Sequence, residues 1–145
     1  MQATSTATVS ASPDLVWSVL SDHEGMASWG PGLTVTLRKE GTAVRNGVGA
    51  VRAIDAPGPA PTIVEEVTAF EPGERLGYRA LSGVPLRNYQ GEVTLAASGE
   101  GTRIGYTITA DPRLPLVDRV LVTVISKVLL TALVRRVRAV AATRA

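Results

Sequence analysis

Residues 115–145 read PLVDRVLVTVISKVLLTALVRRVRAVAATRA, and this stretch decides the fold class. Apolar residues recur in it at three- and four-residue spacing, and after Pro115 it contains neither proline nor glycine. The spacing predicts one long helix, because it gathers apolar side chains on common faces. A helix of roughly 28 residues is about 42 Å long at 1.5 Å per residue. We expect it to lie across a sheet and cover it, which makes a cavity between the two layers possible.

The amino-terminal residues predict a strand and two short helices. An alternating run at 4–10 predicts the strand. Ser12, Pro13 and Asp14 supply an N-cap, a proline at the first helical position and an acid in the first turn, so a helix should follow. A second short helix or turn comes next and ends at the Gly-Pro-Gly sequence 30–32.

The middle of the chain predicts six strands separated by turn residues. These strands are rich in Val, Ile, Thr and Tyr, and they span 33–39, 47–54, 62–70, 75–81, 86–96 and 102–110. Glycine, proline and an Asn-Gly pair separate them, as expected for hairpins. Strands and helices do not alternate, so a parallel sheet is not predicted. The sequence predicts an α+β fold in one domain, 1–145, with a curved seven-stranded antiparallel sheet wrapped around a long C-terminal helix and two short helices after the first strand.

Composition and motifs exclude several kinds of function. Fifteen basic and thirteen acidic residues give a formal net charge of +2, which gives little support to nucleic-acid binding. The chain has no cysteine and one histidine, so neither thiolate chemistry nor a zinc site is predicted. It also lacks a dinucleotide fingerprint and a phosphate loop, so we expect no cofactor and no metal. The first residues lack a signal-peptide pattern, and we expect a cytoplasmic protein.

Several phrases occur in an order and at spacings that resemble a known superfamily. They are ASPDLVW (11–17), GVGAVR (47–52), EEVTAFEPGERLGY (65–78) and YQGEVTL (89–95), the last ahead of GTRI (101–104). Over nearly the whole chain the sequence resembles the START-like (SRPBCC) superfamily, specifically its polyketide cyclase/dehydrase and lipid-transport branch. The resemblance implies a helix-grip fold with a hydrophobic cavity between the sheet and the terminal helix. Similar members bind lipids, polyketides, sterols or other apolar molecules, and only some catalyse cyclisation or dehydration, so the fold alone does not settle function.

Strand alternation and helix position indicate which apolar side chains face such a cavity. Alternation places three tyrosines on the apolar faces of their strands. One tryptophan ends the second short helix and offers a large contact area with one fixed donor. Three aliphatic residues come from the terminal helix. The candidate ligand-binding residues of these three groups are Trp29, Tyr78, Tyr89, Tyr106, Leu121, Ile125 and Leu129.

Arg52 and Glu65 complete the candidate ligand-binding site as its polar pair. Each shares a strand face with apolar residues. If both point inward, they must pair with each other or with a polar group of a ligand, because an unpaired buried charge costs several kcal/mol. The pair would then orient the ligand. The alternative is a surface ion pair or two unrelated exposed charges, which the neighbouring Glu66 favours.

His23 is the only histidine and the obvious candidate for a proton shuttle. It lies in the polar sequence SDHEG at 21–25, which favours a solvent-exposed linker histidine. In the alternative it lies at the cavity mouth, where Asp22 or Glu24 would raise its pKa. No catalytic residue is assigned from the sequence.

The terminal helix carries two apolar stripes on a helical wheel. One stripe contains Val117, Val120, Leu121, Val124, Ile125 and Val128, and the other contains Val122, Leu129 and Leu133. One sheet cannot bury both, so the surplus lines a deep cavity, meets a second subunit in a homodimer or touches a membrane. Asp118, Arg119 and Lys127 interrupt the apolar run and argue against a membrane span. Peripheral membrane contact, anchored by the arginines within 135–138, is the less favoured option.

The sequence leaves three functions open. The first is binding or carriage of a hydrophobic or amphipathic small molecule, with Arg52 and Glu65 fixing its polar end and each buried methylene contributing about 0.8 kcal/mol. The second is a cyclase/dehydrase-type enzyme, in which the cavity folds a reactive chain and Tyr89, His23 or the polar pair moves protons. The third is an interaction or regulatory domain that dimerises through the terminal helix.

Overall fold

The computed structural model describes residues 1–144 of the chain. The strands are β1 (Gln2–Val9), β2 (Thr34–Lys39), β3 (Val51–Asp55), β4 (Ile63–Glu71), β5 (Arg75–Ser82), β6 (Arg87–Ser98) and β7 (Gly101–Asp111). The helices are α1 (Pro13–Leu20), α2 (Pro115–Thr143) and a 3₁₀ helix between α1 and β2 (Glu24–Trp29).

All seven strands form one antiparallel sheet in the order β1-β7-β6-β5-β4-β3-β2. Strands β2 to β7 follow one another as hairpin neighbours, and β1 joins the far edge by pairing with β7. Helix α2 packs against β1 and β7, and the 3₁₀ helix packs against β2 and α2. This arrangement confirms the predicted α+β fold, with its curved antiparallel sheet and long C-terminal helix. It places the 3₁₀ helix and the sheet on either side of a space below α2.

Helix α1 begins as the sequence predicts, whereas α2 begins by a different device. The Ser12 hydroxyl accepts a hydrogen bond from the Leu15 N–H at 3.3 Å, as an N-cap does. No side chain caps α2 from the residue before it, but Asp118 in its first turn accepts from the N–H groups of Arg113 and Leu114 at 2.7 and 2.9 Å. These two bonds lower the pKa of Asp118 and fix the entry of the chain into α2.

The two apolar stripes of α2 have different surroundings. The buried face of the helix includes Val122, Leu133 and Val137, together with Ser126, whose hydroxyl bonds that of Ser5 in β1 at 2.8 Å. The other stripe is largely exposed, with Val120 62% accessible. The stripe with more apolar residues is therefore not the face that covers the sheet.

Strand β3 begins four residues later than predicted. Residues 47–50 instead form a turn, in which the Gly47 N–H bonds the Val44 carbonyl and the Ala50 N–H bonds the Gly47 carbonyl. Gly49 adopts a φ of +91°, a conformation that glycine reaches without the steric cost other residues meet. Asn46 lies in the loop directly before this turn.

Gly91 in β6 leaves room for a side chain of β5 to extend over β6 toward β7. It lies opposite Tyr78 of β5, and a Cβ at position 91 would overlap the phenol ring of Tyr78. Because Gly91 has no side chain, the ring passes over β6, and the hydroxyl of Tyr78 reaches that of Tyr106 in β7 at 2.9 Å.

We expect Gly91→Ala to lower the free energy of unfolding by about 1–3 kcal/mol, because the added methyl group displaces the Tyr78 ring from a packed core. Urea denaturation followed by tryptophan fluorescence measures the change. Ala96→Ser, at an exposed position of the same strand, should change the free energy by less than about 0.5 kcal/mol. Equal stability of Gly91→Ala and the wild type would show that the ring does not need the space above Gly91.

Candidate functional site

A cavity of about 390 Å³ lies between the sheet, the 3₁₀ helix and the middle of α2. Its volume falls within the range of roughly 300–1,000 Å³ found for small-molecule sites. The walls are almost wholly apolar, and among the described residues that line it Glu65 carries the only ionisable charge apart from tyrosine hydroxyls. Val124 and Val128 of α2 line the cavity and are also exposed, so they form its rim.

Five of the nine predicted ligand-binding residues line this cavity. They are Glu65, Tyr78, Tyr89, Ile125 and Leu129. Of the other four, Arg52 and Tyr106 lie directly behind the wall, where Arg52 bonds Glu65 and Tyr106 bonds Tyr78. Trp29 and Leu121 pack against the hydrophobic core without lining the cavity. The structure thus brings seven of the nine into one connected group.

Sequence reasoning missed the walls that come from loops. Residues 83–85, the segment around Ala60 and Pro61, and Leu33 after the Gly-Pro-Gly turn line the cavity, and Met26 of the 3₁₀ helix joins them. The turn residues of these loops served only as hairpin signals in the sequence. The available signal was an apolar side chain next to each turn, since such residues have no strand face to join.

Arg52 and Glu65 form a buried ion pair across β3 and β4. The two residues are register partners, and the Nε and Nη2 groups of Arg52 both donate to Glu65 Oε1, at 2.9 and 2.8 Å. Arg52 is 3% exposed and Glu65 is 5% exposed. The interpretation as a surface pair is therefore wrong. Burial lowers the pKa of Arg52, but the charge of Glu65 and the other nearby groups outweigh burial and raise it above its usual value.

His23 is the third member of this buried network. Its Nδ1 accepts a hydrogen bond from Arg52 Nη1 at 3.1 Å, and its Nε2–H donates to the Asn46 carbonyl at 2.8 Å. This tautomer is assigned because a guanidinium can only donate. The Asn46 side chain in turn donates to the Ser21 carbonyl at 2.8 Å. The interpretation as an exposed linker histidine is wrong, because the buried Arg52 needs a second acceptor and His23 supplies it.

The environment of His23 keeps its imidazole neutral. Burial, followed by the positive charge of Arg52, lowers the pKa of His23 to about 4, against an opposing contribution from the bond to Asn46. Asp22 also opposes the shift, and Arg45 adds to it. Both ring nitrogens are occupied by Arg52 and Asn46, and the ring does not line the cavity. His23 holds Arg52 in place and has no free nitrogen to move a proton.

Three tyrosines connect the ion pair to the cavity. The guanidinium of Arg52 lies 4.9 Å from the ring centroid of Tyr78, a cation–π contact. The rings of Tyr78 and Tyr89 are 6.3 Å apart, and the hydroxyl of Tyr78 bonds that of Tyr106. Burial raises the pKa of all three phenols, that of Tyr106 to about 12. They remain protonated near neutral pH, so each phenol is able to donate a hydrogen bond.

The family model described as polyketide cyclase / dehydrase and lipid transport matches residues 1–143. The chain belongs to this family. No curated protein matches the sequence. The family assignment confirms the resemblance seen in the sequence phrases.

Solved structures resemble this one at low sequence identity. A START superfamily protein from Mycobacterium smegmatis superimposes with a TM-score of 0.80 at 17% identity, covering 96% of this chain and 98% of the other. DynU16, from the dynemicin biosynthetic locus, gives 0.71 at 22% identity, covering 94% and 47%. The Aha1 dimer from Colwellia psychrerythraea gives 0.69 at 15% identity, covering 90% and 92%. At these identities the similarity establishes the START-like fold alone.

Within the richer apolar stripe of α2, Leu121 and Ile125 are partly buried against the core, and the remaining apolar residues of α2 on this side are exposed in the described part of the chain. The exposed residues run from Leu116 through Val120 to the cavity rim at Val124 and Val128. None of the helices within residues 1–144 is both long enough and apolar enough to cross a bilayer. Homodimerisation through α2 and peripheral membrane contact both stay predictions.

We expect the stability of the protein to fall as the pH drops below 6.5, because His23 takes up a proton in the unfolded chain but not in the folded one until about pH 4. The loss between pH 7 and pH 5 should be about 2 kcal/mol, since each pKa unit corresponds to about 1.4 kcal/mol. Urea denaturation at both pH values measures it. His23→Gln, which removes the only imidazole, should flatten the profile by that amount. Parallel profiles of variant and wild type would contradict the low pKa.

Proposed function

We propose that this protein binds or carries a hydrophobic or amphipathic small molecule in the cavity between the sheet and α2. The observation that carries the proposal is an apolar cavity of about 390 Å³ whose one charged wall residue among residues 1–144, Glu65, is neutralised by a buried partner. Transfer of an apolar molecule from water into such a cavity is favourable, because it removes apolar surface from water. The family description, which includes polyketide cyclases and lipid transport, supports a lipid- or polyketide-like ligand.

The walls and the polar network have separate tasks in this proposal. The apolar part of the ligand packs between the rings of Tyr78 and Tyr89 and the side chains of Ile125 and Leu129, and each methylene removed from water contributes about 0.8 kcal/mol. The polar end faces Glu65, which Arg52 holds in one orientation. Because Arg52 fixes Glu65 and His23 fixes Arg52 through bonds within the chain, little of the binding free energy is lost in ordering the network.

A second candidate function is catalysis in the same cavity, as in a cyclase or dehydrase. The observation that favours it is that Glu65 presents a carboxylate to an apolar space, where a positioned base can accept a proton from a bound chain. Tyr89, which lines the same wall, is the candidate proton donor. His23 is excluded from this role because both of its nitrogens are engaged behind the wall. Release of a chemically altered molecule from a loaded protein would distinguish catalysis from carriage.

The proposal is tested by native mass spectrometry of the protein purified from its source cells, followed by denaturing extraction. We expect an apolar molecule to copurify at a stoichiometry near one. Ile125→Trp, which fills the cavity, should abolish this mass and reduce the affinity of a re-added ligand by at least about tenfold, or roughly 1.4 kcal/mol.

Val120→Trp is the matched control, because it adds the same ring to α2 at an exposed position outside the cavity. It should leave the copurifying mass unchanged. Retention of the ligand by Ile125→Trp would place the binding site elsewhere and contradict the proposal. An empty wild-type protein that also fails to take up apolar probes would overturn the proposed function.

A further inference from the structure

We infer that the cavity selects ligands whose polar end is a neutral hydrogen-bond donor, an alcohol or a phenol, and that it rejects carboxylates. This inference rests on the proposed function, because it names the ligand class of the same cavity. The selecting group is Oε2 of Glu65, the carboxylate oxygen that Arg52 does not engage.

The two oxygens of Glu65 have different partners. Both donor groups of Arg52 that reach Glu65 bond Oε1. Oε2 accepts no hydrogen bond from any residue within 1–144, although the side chain is only 6% exposed and Glu65 lies in the cavity wall. A carboxylate oxygen that faces an apolar space is a strong acceptor, and a hydrogen bond from a ligand donor would stabilise it. A hydroxyl group of the ligand supplies that donor.

An anionic ligand finds no cation in this cavity. Arg52 is behind the wall, where two of its nitrogens bond Glu65, the third bonds His23, and the guanidinium lies against the Tyr78 ring. The residues that line the cavity include no lysine, arginine or histidine within the described chain. A ligand carboxylate would therefore meet the negative charge of Glu65 at short range in an apolar surrounding, where like charges repel strongly.

An ammonium group is disfavoured for a different reason. Arg52 already neutralises Glu65, so a bound ammonium would leave one net positive charge buried in the pair, and an uncompensated buried charge costs several kcal/mol. A neutral hydroxyl adds no charge. Its O–H donates to Glu65 Oε2, and its oxygen can accept from the phenol of Tyr89, which lines the same cavity and stays protonated because burial raises its pKa.

The test compares four probes with one alkyl chain on the wild-type protein near pH 7: 1-decanol, decyl methyl ether, decanoate and decylamine. Competition against a fluorescent apolar dye measures each affinity. We expect decanol to bind at least about tenfold more tightly than each of the other three, because only decanol donates without adding charge.

Two outcomes separate this inference from the function on which it rests. Equal affinities for decanol and the ether, or tightest binding of decanoate or decylamine, would overturn the inference and leave the apolar binding site intact. Failure of all four probes to displace the dye, or failure of the dye itself to bind, would overturn the proposed function and the inference together.

Two variants test whether Glu65 and Tyr89 cause the preference for decanol. Glu65→Gln should bring the decanol-to-ether ratio down to within about threefold, because a neutral amide accepts more weakly than a carboxylate. Tyr89→Phe should weaken both probes alike and keep their ratio, since both present an oxygen acceptor. Glu66→Gln is the matched control, because Glu66 pairs with Arg79 outside the cavity and should leave all four affinities unchanged.

A fold check keeps the variant test decisive. If circular dichroism shows that Glu65→Gln does not fold, the wild-type probe series still decides the inference, and Tyr89→Phe still tests the second contact. A folded Glu65→Gln that keeps the full tenfold preference for decanol would overturn the assignment to Oε2.

Discussion

The buried ion pair between Arg52 and Glu65 is the interaction on which the site depends. Removing two charges from water costs several kcal/mol per ion, and their attraction offsets this only when the remaining donors and acceptors are also satisfied. Three groups satisfy Arg52: Glu65 accepts from two of its nitrogens, His23 accepts from the third, and the Tyr78 ring covers the guanidinium. The loop at Asn46 and the position of His23 follow from this requirement, which explains why a histidine in a polar sequence is fully buried.

The same pair allows a charged residue to belong to an apolar cavity. A lone glutamate there would either take up a proton or draw water into the space. With Arg52 behind it, Glu65 presents a fixed acceptor, while the cation itself stays out of reach of a ligand. The hydrogen bonds behind the wall offset the desolvation free energy of the two charges. The remaining wall residues are apolar and can contact apolar groups. Gly91 contributes to this arrangement, since without its empty position Tyr78 could not extend over the sheet to Tyr106.

Strand alternation identified Arg52 and Glu65 as charges that share strand faces with apolar residues, because a period of two decides which residues share a face of the sheet. It could not decide whether that face is buried at those positions, since burial depends on what α2 and the 3₁₀ helix cover. His23 was misjudged for a related reason. Its partners, Arg52 and Asn46, are more than twenty residues away in the sequence, and a local polar pattern carries no information about them. The loop walls of the cavity escaped prediction because turn signals report the chain reversal and not the neighbours it meets.

The apolar stripes of α2 show how a helix can serve a core and a cavity at once. The buried stripe uses small and branched residues together with Ser126, which bonds Ser5 of β1, so close packing and one polar contact hold the helix on the sheet. The richer stripe divides: Leu121 and Ile125 are partly buried against the core, whereas Val124 and Val128 are exposed and form the rim of the cavity. In the proposed function, this apolar rim is the surface that a ligand contacts as it enters the cavity. On that proposal, part of the hydrophobicity that exceeds the needs of the core lies where an apolar molecule leaves water.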